Sequence, residues 1–194
     1  MGRGMCGFDI VSVYPVFSEI ESVVAYETSQ VFRHVYLPAR VQGKLLLHSM
    51  PGRFEALESV WQQIQSEAVG VIVCLAEPYE IRLKSAAYAD ALELGTVPCS
   101  VLAFEIREGG APEDRNRFWA LANDLANRLK LGEAVLIHCA GGVGRTAMLA
   151  ISVLLVLGEP MDQAERRVSR AGSVVETMAQ IEMLSWCAAQ AKTR

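Results

Sequence analysis

Residues 135–146, VLIHCAGGVGRT, decide how the rest of the chain is read. The stretch opens as a short uncharged apolar run, as a buried strand does, and breaks into a glycine-rich turn in which five residues separate Cys139 from Arg145. A helix is expected to follow. Such a turn at a helix N-terminus points several backbone N–H groups into one concavity, and the helix dipole adds partial positive charge there, so an anion can settle in it. The planar guanidinium of Arg145 can grip two oxygens of a phosphate at once, which a lysine cannot do. Cys139 then lies on the floor of the cup, where the field that binds phosphate also favours thiolate over thiol and makes the sulfur a nucleophile.

Outward from this stretch, strands alternate with helices. Residues 146–157 are apolar almost all round, so the helix after the turn is expected to be buried and to anchor it, with Gly158 and Pro160 ending it. Ser173 with Glu176 three residues later resembles a capping box opening a last helix, whose Met178, Ile181, Leu184 and Ala188 would face the core. Upstream, Phe118, Leu121, Ala122, Leu125 and Leu129 form an apolar stripe that ends near Gly132. Residues 99–106 read as a strand, 85–94 as a helix closed by Gly95, and 69–75 as a buried strand. Leu45-Leu46-Leu47 reads as a strand running into the Pro51-Gly52 turn, after which Phe54, Leu57, Trp61, Ile64 and Ala68 recur at helical spacing. Strands at 23–26 and 32–37 would add an N-terminal antiparallel hairpin.

This order implies an α/β fold: a single domain with a central, mostly parallel twisted sheet flanked by helices and extended by that hairpin. Residues 1–10 read as a loose terminus and 11–194 as the domain. Ligands of such sheets bind beyond the carboxyl ends of the strands, where Cys139 falls.

With 194 residues the chain is long enough to bury one sizeable core without disulfides or metal. Apolar residues make up 52% and charged ones 21%, a globular balance, and a net charge of -4 gives no general attraction to nucleic acid or to an acidic membrane, so neither is an expected partner. Cys6, Cys74, Cys99, Cys139 and Cys187 are odd in number and widely spaced, with no CxxC pair, which points to the reducing cytosol. The longest apolar run, 147–157, falls far short of the roughly 20 residues that cross a bilayer. No basic segment joined to an apolar core opens the chain, so a cytoplasmic protein is expected. Oligomeric state is open.

His138-Cys139-(five residues)-Arg145-Thr146 resembles the phosphate-binding loop of the cysteine-dependent protein tyrosine and dual-specificity phosphatases. Three more stretches fall where the dual-specificity group, and above all the kinase-associated (cyclin-dependent kinase) phosphatase group, carries similar ones: Leu47-His48-Ser49-Met50-Pro51-Gly52, Glu108-Gly109-Gly110-Ala111-Pro112 and Thr177-Met178-Ala179-Gln180. The resemblance runs from about Leu45 onward. It implies a protein tyrosine phosphatase-like fold and hydrolysis of phosphomonoesters through a phosphocysteine, with no metal or organic cofactor.

Under that resemblance Cys139 attacks phosphorus. Ala140, Gly141, Gly142, Val143, Gly144 and Arg145 hold the equatorial oxygens, and phosphate, vanadate or sulfate is expected to occupy the loop. The other cysteines read as structural. His138 reads as a support that hydrogen-bonds the loop, because a thiolate stabilised by the dipole needs no base. Thr146 can donate to the sulfur and ease its departure, or it is an ordinary first-turn threonine. The family takes its general acid from an aspartate on a mobile loop about thirty residues before the cysteine. Here that place holds Glu108, whose additional methylene moves the carboxyl by about 1.5 Å. Asp114 is the rival acid, although an aspartate just before an apolar-periodic run commonly caps a helix. Gly109 and Gly110 would let the loop close over substrate. Gln180 falls near a family glutamine that orients the hydrolytic water, or is a solvated helix residue. Arg166, Arg167 and Arg170 form a basic flank, either solvated or meeting phosphorylated partners.

The expected substrate is a phosphoprotein or a small phosphoester. Ala140, Gly141, Gly142 and Val143 include no lysine, which disfavours phosphoinositides. Two other classes stay open: a phosphate-binding module that has lost catalysis, motivated by the missing aspartate, and a sulfur or arsenate enzyme with a similar cysteine loop. Arg145-Thr146 and the Gly109-Gly110-Ala111-Pro112 stretch argue against the second.

Overall fold

The computed structural model describes Met1 and residues 31–193. Its elements begin with β1 (Arg33–Val35), β2 (Lys44–His48), α1 (Leu57–Ser66), β3 (Val69–Cys74), α2 (Pro78–Lys84) and α3 (Ala86–Glu93). They continue with β4 (Ser100–Ala103), α4 (Arg115–Lys130), β5 (Ala134–His138), α5 (Gly144–Val156), α6 (Met161–Arg170) and α7 (Met178–Lys192). The strands lie in the order β1-β2-β5-β3-β4, with β2, β5, β3 and β4 parallel and β1 antiparallel to β2. The mostly parallel sheet with an antiparallel N-terminal edge matches the expected architecture. The expected strand at 23–26, the loose terminus and Cys6 lie outside the described residues.

Side-chain alternation along the central strand builds the layers. Every residue of β5 is buried, and successive side chains leave opposite faces of the sheet. Val135 and Ile137, followed by Cys139, enter a core shared with Phe118, Leu125 and Leu129 of α4, Val168 of α6 and Met183 of α7. Leu136 turns the other way, onto Val60 and Ile64 of α1. His138 meets Tyr88 of α3 on that same face. Helices therefore cover both faces of the sheet, and the strand delivers Cys139 at its central carboxyl end. Behind it, all residues of α5 from Gly144 to Leu155 are buried, so the helix carrying Arg145 is fixed on every side.

Four boundaries depart from the sequence reading. α1 begins at Leu57, leaving Phe54 69% exposed outside the helix, and Ala68 ends it with a positive φ of 53°. β4 stops at Ala103, but the chain keeps to β3, since Phe104 N–H donates to Cys74 O (2.9 Å) and Ile106 N–H to Leu75 O (3.1 Å). α2 was not anticipated: PYEIRLK has no apolar stripe, and only Pro78 at its first turn marks its start. The Ser173–Glu176 capping box does not form. Thr177 caps α7 by accepting from Gln180 N–H, which leaves Met178 and Ile181 exposed and turns Gln180, Met183, Leu184 and Cys187 inward. Apolar residues occupy both faces of α7, so its stripe could be drawn either way from the sequence. Among the described residues no helix is long and apolar enough to cross a membrane.

Candidate active site

At the end of β5 the chain turns sharply, and Gly142 makes the turn possible. Its φ is +69°, and a Cβ there would sit 2.2 Å from His48 O, so a side chain is excluded by both strain and contact. The turn brings Gly142 N–H to 3.3 Å from Cys139 Sγ, a backbone donor aimed at the sulfur. Cys139 is 3% exposed, lying beneath the N-terminus of α5, whose dipole adds positive potential. The loop's N–H groups are not all free: Gly144 N–H donates to Glu176 Oε2 at 3.0 Å.

Arg145 is buried and committed on one edge. Nη1 and Nη2 donate to the two carboxylate oxygens of Glu80 (2.7 and 2.8 Å), and Nη1 also donates to Ile106 O (2.7 Å). A guanidinium has five N–H groups in a fixed fork, so this end-on pairing leaves Nε–H and the second Nη2–H on the other edge for a phosphate. Burial works against the Glu80 charge. The hydrogen bonds from Arg145 and Lys84 prevail and hold its carboxyl down at about 2.

Lys84 Nζ extends the pairing outward: it lies 2.9 Å from Glu80 Oε1 and 2.8 Å from Glu108 Oε1. Arg145, Glu80, Lys84 and Glu108 thus form an alternating chain of charge from the cup to the loop that carries the expected acid. Glu108 is 69% exposed at the outer end of that chain. Asp114 is placed elsewhere, accepting from Arg117 N–H at 2.9 Å as the N-cap of α4.

His138 is wholly buried and uses both nitrogens. Nδ1 lies 3.1 Å from Cys139 O, which can only accept, so Nδ1 carries the proton and Nε2 accepts from Tyr88 O–H at 3.0 Å. Burial pushes His138 down to about 4, which keeps the ring neutral and fixed behind the cysteine. His48 is likewise lowered to about 4, first by burial and then by Arg33, and faces Glu55 at 3.3 Å. Thr146 Oγ1 is buried without a hydrogen-bond partner.

Gln180 is fully buried rather than solvated. Its Oε1 accepts from Glu176 N–H (2.9 Å) and its Nε2 donates to Gly110 O (3.3 Å), which ties α7 to the Gly109-Gly110 loop. Cys74 and Cys187 are buried and Cys99 is partly so. Arg166 and Arg167 pair with Asp162 and Glu159. Of the residues singled out from sequence, Cys139, Arg145, His138, Thr146 and Gln180 cluster around the turn, Glu108 stands at its edge, and Asp114 lies outside. Glu80, Lys84 and Arg33 carry no signal of a site in the sequence, and Ser173 and Glu176 read there only as a capping box. Glu80 and Lys84, four apart on a short polar helix, look like an ordinary surface ion pair, and the pairing of Glu80 with Arg145 spans 65 residues.

Comparison with known proteins speaks to the fold and the family. Cyclin-dependent kinase inhibitor 3 of Rattus norvegicus is 32% identical over 83 residues, which make up 41% of this chain and 39% of that protein, so the match spans well under half of the relative's length. Kinase associated phosphatase (KAP), in a crystal structure with a serine replacing its catalytic-site cysteine, aligns with a TM-score of 0.70 over 84% of this chain and 96% of that one at 21% identity. PTPMT1 in complex with PI(5)P aligns with a TM-score of 0.63 over 77% and 93%, at 17% identity. At these identities the two structures speak for the fold. Residues 48–159, more than half of the chain, match the polymorphic toxin system DSP-PTPase phosphatase family, and the chain therefore belongs to the dual-specificity protein tyrosine phosphatases.

Proposed function

We propose that this phosphatase is catalytically active and hydrolyses phosphomonoesters of proteins, on tyrosine or on serine and threonine, through a phosphocysteine. The observation that supports this most is the arrangement of Cys139 Sγ under the Gly142 N–H at the head of α5, with one edge of the Arg145 fork left for phosphate. Sγ attacks phosphorus in line, the bond from phosphorus to the ester oxygen breaks, and Glu108 gives that oxygen its proton. Loop N–H groups and Arg145 take up the charge on the equatorial oxygens. Water then attacks phosphorus, with Glu108 as base and Gln180 beside the loop. The sulfur–phosphorus bond breaks as the Thr146 hydroxyl, left without a protein partner, donates to the departing sulfur.

No lysine or arginine stands between Cys139 and Arg145, so this reading favours a phosphoprotein or small phosphoester over a multiply charged lipid such as the PI(5)P bound to PTPMT1. A second reading, phosphate binding without turnover, is favoured by the Lys84–Glu108 ion pair, which engages the carboxylate that would serve as the acid. Steady-state hydrolysis of phosphotyrosine, phosphoserine and phosphothreonine peptides by the wild type and Cys139→Ser separates the two. Activity is expected in the wild type and lost in the variant. Orthovanadate binding by a wild type without turnover on any peptide would establish the second reading.

A further inference from the structure

A cup that binds an anion through backbone N–H groups works only if each peptide is turned the right way. In a trans peptide the C=O and N–H point in opposite directions, and no described peptide bond is cis. The peptide joining Gly142 to Val143 is open to such a turnover, because its first residue is a glycine at φ +69° and glycine passes between backbone regions at little steric cost. A turnover of that peptide would place a carbonyl oxygen, with its partial negative charge, where an N–H should meet the phosphate.

Two side chains from distant parts of the chain fasten this carbonyl. Arg33 Nη2, from edge strand β1, donates to Gly142 O at 2.6 Å, and Ser173 Oγ, from the turn between α6 and α7, donates to the same oxygen at 2.6 Å. Arg33 Nη1 also donates to Gly172 O at 2.6 Å, so one guanidinium spans the cup and the turn that presents Ser173. Ser173 is 1% exposed, which restricts its hydroxyl to this arrangement. Val143 N–H, antiparallel to the held carbonyl, has no protein acceptor among the described residues. The N–H of Gly142 itself faces Cys139 Sγ, so the two peptides flanking Gly142 are oriented separately, one by the sulfur and one by Arg33 and Ser173.

We propose that Arg33 and Ser173 are positioning residues that lock the Gly142–Val143 peptide with its N–H toward the bound phosphoryl group. The inference rests on the turn being the phosphate site. Neither residue touches the substrate; both act through the carbonyl they hold. Arginine suits the place because its planar fork reaches two carbonyls from two separate nitrogens, whereas the donors of a lysine all sit on one nitrogen.

The test is orthovanadate binding by the full chain, followed by the amide signal of Val143 in a proton–nitrogen correlation spectrum. Wild type is compared with Arg33→Met, Arg33→Lys, Ser173→Ala and the double variant Arg33→Met/Ser173→Ala. Vanadate is expected to shift the Val143 amide strongly in the wild type. Each single loss of a donor should weaken binding about 10-fold, and the double change on the order of 10²–10³-fold, the cost of losing one oxyanion donor. Arg33→Lys should recover most of what Arg33→Met loses. A merely structural role would lower the melting temperature and leave both the Val143 shift and the vanadate Kd unchanged below it. Such a result, or equal binding by the double variant, would overturn the proposal. Ser173→Ala removes a single oxygen, so it decides the matter even where Arg33→Met does not fold. Failure of the wild type itself to bind vanadate would instead bring down the phosphate-site reading, and this proposal with it.

Discussion

Replacing Glu80 by glutamine removes a charge from the buried pair behind the cup and keeps its shape. Arg145 is 3% exposed and the Glu80 side chain 8%, so neither charge is screened well by solvent. The Glu80 carboxyl is held from its ordinary 4.5 down to about 2, which makes its charged form worth about 3 kcal/mol to the folded state. Removing one partner of a buried ion pair costs about 3–5 kcal/mol by an independent route, because the other charge is left uncompensated. The sign follows from the lowered value. The stabilisation is complete above about 4.5 and is lost as the pH falls through about 2. Urea unfolding of the wild type and Glu80→Gln should therefore differ by about 3 kcal/mol at pH 7 and by clearly less at pH 3, where part of the charge stabilisation is already lost. The kcat/KM of the variant should fall about 10–100-fold, since an unanchored Arg145 fork no longer presents its free edge at a fixed angle. A difference that is the same at both pH values, or below about 1 kcal/mol at pH 7, would show that the Glu80 charge does not hold the pair together.

Glu108→Gln should lower kcat by about 10²–10⁴ on alkyl and phenyl phosphates and much less on p-nitrophenyl phosphate, whose phenolate leaves with little help from a proton. Equal losses across leaving groups would remove Glu108 from the acid's role. Asp114→Ala should cost about 1 kcal/mol in urea unfolding, through the lost cap of α4, with kcat nearly unchanged. Tyr88→Phe deprives the buried Nε2 of His138 of its donor and should cost about 1–3 kcal/mol in the same assay, while orthovanadate binding holds.

The sequence made the centre of this site legible because its determinants are local. Cys139, Arg145 and the glycines between them lie within one turn, and the uncharged run of β5 with the apolar α5 fixes what stands before and behind that turn. What lay hidden is what arrives from far along the chain. Arg33 reaches Gly142 across 109 residues and Arg145 finds Glu80 across 65, and no local pattern marks either pairing. Glu176 shows how a local rule misleads: its spacing from Ser173 imitates a capping box, while its carboxylate goes to Gly144 N–H and the Ser173 hydroxyl to Gly142 O. Asp114 is the opposite case, since the cap suggested by its place before an apolar stripe forms in the structure. In α7 apolar residues lie on both faces, so the stripe through Met178 and Ile181 reads as inward from the sequence, whereas the helix turns Gln180, Met183, Leu184 and Cys187 to the core.

In the proposed reaction Cys139 Sγ carries the phosphoryl group between two half-reactions. Rapid acid quench of the wild-type chain mixed with p-nitrophenyl phosphate, followed by mass measurement of its peptides, reads this directly. One added phosphoryl group is expected on the peptide containing Cys139, with a burst of p-nitrophenol equal to the enzyme present, and neither in Cys139→Ser. Turnover that persists undiminished in Cys139→Ser, or a wild type that turns over with no phosphoryl group ever found on that peptide, would contradict that role of Cys139.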